Sequence, residues 1–415
     1  MRRVLMVAYH FPPLAGSSGI QRTLRFAQHL PSFGWQPLVL TTHPRAYERC
    51  SPDLDAEVPA DCVVRRAFAL DTARHLAISG RYAAGMARPD RWVSWKFGAV
   101  REGLRMVREF KPDLIWSTYP IATAHLIGAE LARRSGLPWV ADFRDPMAQE
   151  GYPSDPKTWQ QFSNIEQSAM LHARLNVFTT PGAARIYSER YPNAASSITV
   201  IENGYDEDSF ADINAAVHDR LNPGAITLLH SGIVYPNERD PSALFVALGR
   251  LKRASKLLSG EVKLRFRASV HDRLLNDLAA ANEVQDLVEV LPPIPYRAAV
   301  QEMVQADALV VMQGSSCNEQ IPAKIYEYLR SGRPILGLTD PGGDTAAVLR
   351  DAGINAIANL ASADDIERHL AVFVDAVRQS RAEVPTAAAV QRASRRGRTQ
   401  VLAERMEAVL RSPMR

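Results

Sequence analysis

The hydrophobic pattern of this chain alternates between two periods. Short apolar runs bounded by turn residues recur in both halves, and between them lie longer stretches with apolar positions three or four apart. In the first half the runs predict strands at 4–8, 37–40, 114–117, 139–142, 176–179 and 198–201. A second series is predicted at 226–230, 263–268, 288–291, 308–312 and 334–338. Strands that alternate with amphipathic helices predict α/β domains built on parallel sheets. The turn-rich stretch E-N-G-Y-D-E-D-S, residues 202–209, separates the two series, and the boundary is expected near 205–222. The domains are therefore read as 1–205 and 206–387, followed by a closing helix at 388–415. That helix carries Val390, Val401, Leu402, Met406, Val409 and Leu410 on helical spacing, with no strand after them.

A length of 415 residues favours two cores over one. The 46% apolar and 23% charged fractions are ordinary for a soluble globular protein. Cys50, Cys62 and Cys317 are too few and too far apart for a disulfide framework or a zinc site, which suits a reducing cytoplasm. The apolar start M-R-R-V-L-M-V-A-Y runs straight into polar, Gly/Pro-containing sequence, unlike a signal peptide. Residues 114–129 are uncharged but too short and polar for a membrane span. A cytoplasmic protein without a transmembrane segment is expected.

Net charge is only +4, yet it is unevenly placed. Residues 1–205 carry a balance of +6, residues 206–391 one of −7, and residues 392–415 one of +5. Such asymmetry suggests two domains that meet different partners. Between 65 and 111 stand eleven Lys/Arg against four Asp/Glu, interleaved with Tyr82, Met86, Trp92, Trp95 and Phe97. Two readings are open: an interfacial segment on an anionic membrane surface, or a solvated basic helix whose tryptophans face the core. No nucleic-acid recognition motif accompanies the patch.

Ligands of open parallel sheets bind beyond the carboxyl ends of the strands, so motifs on those loops matter most. The first is H-F-P-P-L-A-G-S-S-G-I-Q-R at 10–22, where Gly16 and Gly19 permit close backbone approach. A helix starting near Gly19 offers free N–H groups to an anion or a sugar hydroxyl; a ligand-free loop is the alternative. The spacing fits neither the dinucleotide fingerprint nor a Walker loop. The second is W-V-A-D-F-R-D-P at 139–146, in which Asp142, Arg144 and Asp145 can orient a polar substrate, or Asp142 or Asp145 can cap a helix beside a local ion pair. The third, H-S-G-I-V-Y-P-N-E-R-D-P at 230–241, sets Gly232 seven residues before Arg239. Backbone amides and one guanidinium fork then suit a pyrophosphate, although a surface turn would read the same way.

The strongest stretch is E-Q-I-P-A-K-I-Y-E at 319–327. Pro322 breaks helical continuity, so Glu319 is placed on a loop and Glu327 in the first turns of a helix, both able to face one cleft. Lys324 brings positive charge to the helix N-terminus, suited to a diphosphate, and a carboxylate can clamp a ribose diol. The D-P-G-G-D loop at 340–344 reads as a turn with Asp344 as a helix cap. Asp206 and Asp208 read as an acidic turn and not a metal site, and His125 as a helix-face histidine; no metal is assigned.

Together these residues resemble the GT-B glycosyltransferases, in particular the family-4-like bacterial retaining group of polysaccharide and glycolipid assembly. The resemblance rests on Y-H-F-P-P from Tyr9 with Gly16 and Gly19, P-D-L-I-W-S, V-A-D-F-R-D-P, V-I-E-N-G-Y-D, H-S-G-I and E-R-D-P. Its most specific marks are the E-x7-E pair Glu319/Glu327 and Y-L-R-S-G-R-P-I-L after it. It implies two Rossmann-like parallel-sheet domains facing across a cleft, with the C-terminal helix returning to the first domain. It further implies that Glu327 holds the ribose, Glu319 approaches the donor sugar, and Arg239 with Lys324 grips the diphosphate. Gly16 and Gly19 would border diphosphate and acceptor, with Arg144 and Asp145 placing the acceptor or reacting sugar.

Departures from the family pattern are Ile321 and Pro322 in place of phenylalanine–glycine, and Thr118, Tyr119 and Pro120 where many relatives carry a histidine. The implied activity is metal-independent transfer of a sugar, hexosyl or N-acetylhexosaminyl, from a nucleoside diphosphate, UDP favoured. The acceptor is a saccharide or lipid-linked saccharide, configuration is retained, and no cofactor is needed. The rival readings are a nucleotide-sugar epimerase or phosphorylase on the same fold, and a non-catalytic partner subunit. An oxidoreductase is disfavoured by the missing dinucleotide fingerprint.

Overall fold

The computed structural model describes every residue except 18, 212, 214–219, 258–259 and 413–415. The expected seam at 205–222 and the expected tail therefore fall partly outside the described residues. The chain forms two compact units, Met1–Glu202 with Arg395–Arg415, and Asn203–Ser394. The boundary lies three residues earlier than the turn pattern suggested. The closing element is two helices, with Ala387–Arg392 in the second unit and Arg395–Arg411 in the first.

The first unit holds seven strands: β1 (Arg2–Val7), β2 (Trp35–Thr42), β3 (Val63–Ala67), β4 (Leu114–Thr118), β5 (Trp139–Arg144), β6 (Leu175–Phe178) and β7 (Ile198–Val200). All pair in parallel, in the order β3-β2-β1-β4-β5-β6-β7. β4 is buried along its whole length, as expected of a strand covered by helices on both faces. One face packs Leu5, Val7, Ile115 and Phe143, and the other Val4, Met6, Trp116 and Val140. Leu402, Ala403, Met406 and Val409 of the Arg395–Arg411 helix complete that second face, against Leu24 and Ala27 of the Gly19–His29 helix.

The second unit repeats the plan with β8 (Ile226–Ser231), β9 (Val262–Arg267), β10 (Val288–Leu291), β11 (Ala308–Gln313), β12 (Ile335–Thr339) and β13 (Ile357–Ala358). Its order is β10-β9-β8-β11-β12-β13, again all parallel. In both sheets the order reverses beside the first strand, between β1 and β4 and between β8 and β11. That reversal opens a crevice at the carboxyl ends. All eleven anticipated strands are present. β3 and β13 were not anticipated: β3 is an edge strand carrying Arg65 and Arg66, and β13 is only two residues long.

The basic, aromatic stretch divides in two. Trp95 is fully buried, and Trp92 packs on the core with its ring 4.7 Å from Tyr9 and its indole N–H donating to Ala46. Phe68, Ile78, Tyr82, Met86 and Phe97 are exposed. Among the described residues no helix is long and apolar enough to cross a membrane.

Candidate active site

Each unit builds its own constellation at the carboxyl end of its sheet. In the second, β8 ends at Ser231 and the chain turns through Gly232 at φ +115°, where a side chain would be strained. A Cβ there would also lie 2.8 Å from Lys324 Nζ, so glycine lets the lysine reach the loop backbone. Lys324 opens the eight-residue helix Lys324–Ser331; Pro322 stands just before it and accepts from the Ile325 N–H. Arg239 is held on the same loop by bonds to the carbonyl of Ile233 and to Gln313 Oε1 at the end of β11. The loop is tied to the next by Gly314, whose N–H donates to Glu238 at 2.6 Å.

Burial first, and the nearby Arg239 charge second, pull the Lys324 amine down to about 7, against a smaller opposing pull from Glu327. The loop after β8 and the helix after β11 thus hold two cations and one carboxylate close enough to sense one another. Glu327 lies in the helix's first turn and accepts from the hydroxyl of Tyr296 at 2.7 Å. Glu319 lies on the preceding loop, as Pro322 predicted. That loop is fixed by Asn318, which donates to Asp340 and whose carbonyl accepts from Asp344. Asp344 is the first residue of its helix and not its cap, which is Gly343.

In the first unit, Gly16 is exposed at φ +80° with open space around it, and Gly19 begins the Gly19–His29 helix. A Cβ on Gly19 would meet His10 Nδ1 at 2.3 Å and Arg144 at 2.9 Å, so this glycine, His10 and Arg144 converge. Arg144 adopts φ +62°, unusual for a residue other than glycine. It is pinned there by Thr179, whose N–H and hydroxyl both donate to its carbonyl. Its Nε is buried and finds no acceptor among the described residues. Strain together with an unspent donor is a mark of functional positions. Burial and the Arg144 charge push His10 down to about 4, so its ring is neutral at pH 7.

Asp145 is exposed beside Arg144. Asp142 is not a helix cap: it is fully buried and takes two bonds from Arg22 (2.9 and 2.8 Å) and one from Thr118. His125 is likewise a core residue, bonded to Ser117 at 2.8 Å. Sequence reasoning quoted His10 and His230 as first letters of their motifs but gave them no role, and it missed Tyr296. Among the described residues no group of three or more His, Cys, Asp or Glu is gathered as metal ligands.

Residues 18–204 match the glycosyl transferase 4-like domain family. No curated protein is significantly similar in sequence. Among solved structures, a glycosyltransferase from Rickettsia africae is similar over 99% of both chains, with a TM-score of 0.64 at 13% identity. HepE of Anabaena, solved with UDP and glucose, is similar over 98% of this chain and 100% of its own, with a TM-score of 0.62 at 15% identity. A Listeria monocytogenes structure described as a UDP-N-acetylglucosamine 2-epimerase covers 99% of this chain, is itself covered over 96%, and scores 0.54 at 10% identity. Two parallel α/β units of this order define the fold as GT-B. The stretch similar to a glycosyl transferase 4-like domain, residues 18–204, falls almost wholly within the first unit.

Proposed function

We propose that this protein is a glycosyltransferase that moves a hexosyl or N-acetylhexosaminyl group from a nucleoside-diphosphate sugar, UDP-linked by preference, to a saccharide or lipid-linked acceptor. The anomeric configuration is retained and no metal is required. One observation carries the reading: Lys324 and Arg239 converge at Gly232, with Glu327 on the same helix as the lysine. Two cations beside open backbone are suited to a diphosphate, and a carboxylate one turn on is suited to a ribose diol. In the transfer, the bond from the anomeric carbon to the diphosphate breaks as one to the acceptor oxygen forms. The acceptor's proton departs with the diphosphate. Charge growing on that leaving group is met by Lys324 and Arg239, which is why no divalent cation is needed. Glu319, on the loop before Lys324, is assigned to the donor sugar. Gly16, Gly19, Arg144 and Asp145 are assigned to the acceptor side and the reacting sugar.

The test is turnover of labelled UDP-sugars with lipid-linked and free saccharide acceptors, with and without EDTA. Transfer that survives EDTA supports the whole reading, and transfer that EDTA abolishes removes its metal-free part. The epimerase alternative is favoured by the Listeria likeness alone, and donor isomerised without acceptor would establish it. A protein that binds no nucleotide would instead be a partner subunit.

The acceptor side also supports contact with an anionic membrane. Gly98, next to Phe97, packs closely on the Phe68 backbone, and Ile78, at 82% exposure, bridges to Arg81. Exposed apolar groups amid Arg/Lys suit phosphatidylglycerol vesicles, with the protein peripheral on the cytoplasmic face. Loss of vesicle co-sedimentation in Phe97→Ser with Ile78→Ser is expected.

A further inference from the structure

We infer that His230 is a positioning residue for Lys324, setting the direction in which the ammonium faces the diphosphate; this rests on the reading of Lys324 just given. His230 is the penultimate residue of β8 and has no solvent exposure. Its ring packs 5.9 Å from that of Phe266 on β9, a place where an apolar side chain would fit at no polar cost. Instead both ring nitrogens are used. Nδ1 lies 2.9 Å from the carbonyl of Val310 on β11, and Nε2 lies 3.2 Å from Lys324 Nζ.

The tautomer follows from chemistry. A carbonyl only accepts, so Nδ1 carries the proton and the Nε2 lone pair faces the lysine. Burial and the neighbouring Lys324 charge hold the ring well below the ordinary histidine value, so it stays neutral and cannot repel the ammonium. Lysine has a flexible four-carbon stem and three rotatable donors, unlike the rigid fork of arginine. One donor fixed on His230 leaves the others aimed at the Gly232 loop. The charged and titratable groups that face Nζ are Arg239 from that loop, Glu327 from the lysine's own helix, and His230 from β8. Of these three, only His230 can fix its position without adding charge.

His230→Gln keeps an acceptor near the Nε2 position, whereas His230→Asn reaches only the Nδ1 position. UDP affinity by calorimetry is expected to fall about tenfold in His230→Asn and less than threefold in His230→Gln. In a Lys324→Met background neither change should matter. Equal losses in the two variants, or losses that persist without the lysine, would mark His230 as a packing residue and overturn the inference. A second readout needs no nucleotide: the pH titration of the Lys324 side chain in protein labelled with 13C at lysine Cε, assigned by loss of the signal in Lys324→Met. His230→Asn should shift that titration and broaden the line. An unchanged titration sinks the inference even if UDP binds, and a shifted titration upholds it even if UDP does not.

Discussion

At the carboxyl end of its first strand, each unit sets a histidine, a glycine and a cation against one another: His10, Gly19 and Arg144 in one, His230, Gly232 and Lys324 in the other. They differ in how the cation is held. Arg144 is aimed by its own backbone, at φ +62° and with its carbonyl bonded to Thr179. Lys324 sits on a relaxed helix and is aimed by a side-chain partner. Strain gives a fixed charge, because a guanidinium does not titrate in this range. A buried amine gives one that does. Below pH 6.5 both units lose stability, because His10 (about 4), His125 (about 4) and His230 are depressed and unfolding releases them to take up protons. Between about 7 and 10.5 the depressed Lys324 holds fewer protons folded than unfolded, so its contribution rises with pH.

The comparison can be broken most severely in the first unit. All six tryptophans lie in its first 202 residues, so fluorescence reports that unit alone. Asp142→Ala leaves Arg22 buried without its carboxylate and should cost about 3–5 kcal/mol in tryptophan-detected urea unfolding. A smaller effect of mixed sign belongs to Lys324→Met. UDP binding should weaken by about 1.5–3 kcal/mol with loss of a charged donor. The empty protein should gain thermal stability, most at pH 7 and below and least near pH 10.5; a gain that does not depend on pH would contradict the buried-amine account. Gly232→Ala should cost about 1–2 kcal/mol from its positive φ, and should weaken UDP binding by moving Lys324. The smallest change is Arg144→Gly, expected to raise tryptophan-detected stability by about 1 kcal/mol by releasing strain while transfer activity falls. If stability falls instead, the guanidinium is a structural brace.

Much of this was legible because parallel strands covered on both faces must be apolar throughout, which made β1, β4, β8 and β11 plain in the sequence. Pro322 likewise separated Glu319 from the Lys324–Ser331 helix. What stayed hidden depended on long-range pairing. Arg22 and Asp142 are 120 residues apart, and nothing local to either predicts that they pair. Lys324 is packed against β8 and its loop, residues 85 or more positions earlier in the chain. Trp92 and Trp95 were ambiguous because a tryptophan beside basic residues has the same local pattern in a core as at a membrane, and only the packing on Tyr9 decides.

The Arg395–Arg411 helix makes the first unit discontinuous, and this has a cost in time during synthesis. When residues 1–202 have left the ribosome, the sheet face of Val4, Met6 and Trp116 and the helix surface of Leu24 and Ala27 still lack Leu402, Met406 and Val409. At about 5–20 residues per second, making the intervening 192 residues takes roughly 10–40 s. For that interval an apolar strip stays bare on a nascent chain, a natural holding site for a ribosome-associated chaperone. A chain stopped before Arg395 would keep it bare indefinitely.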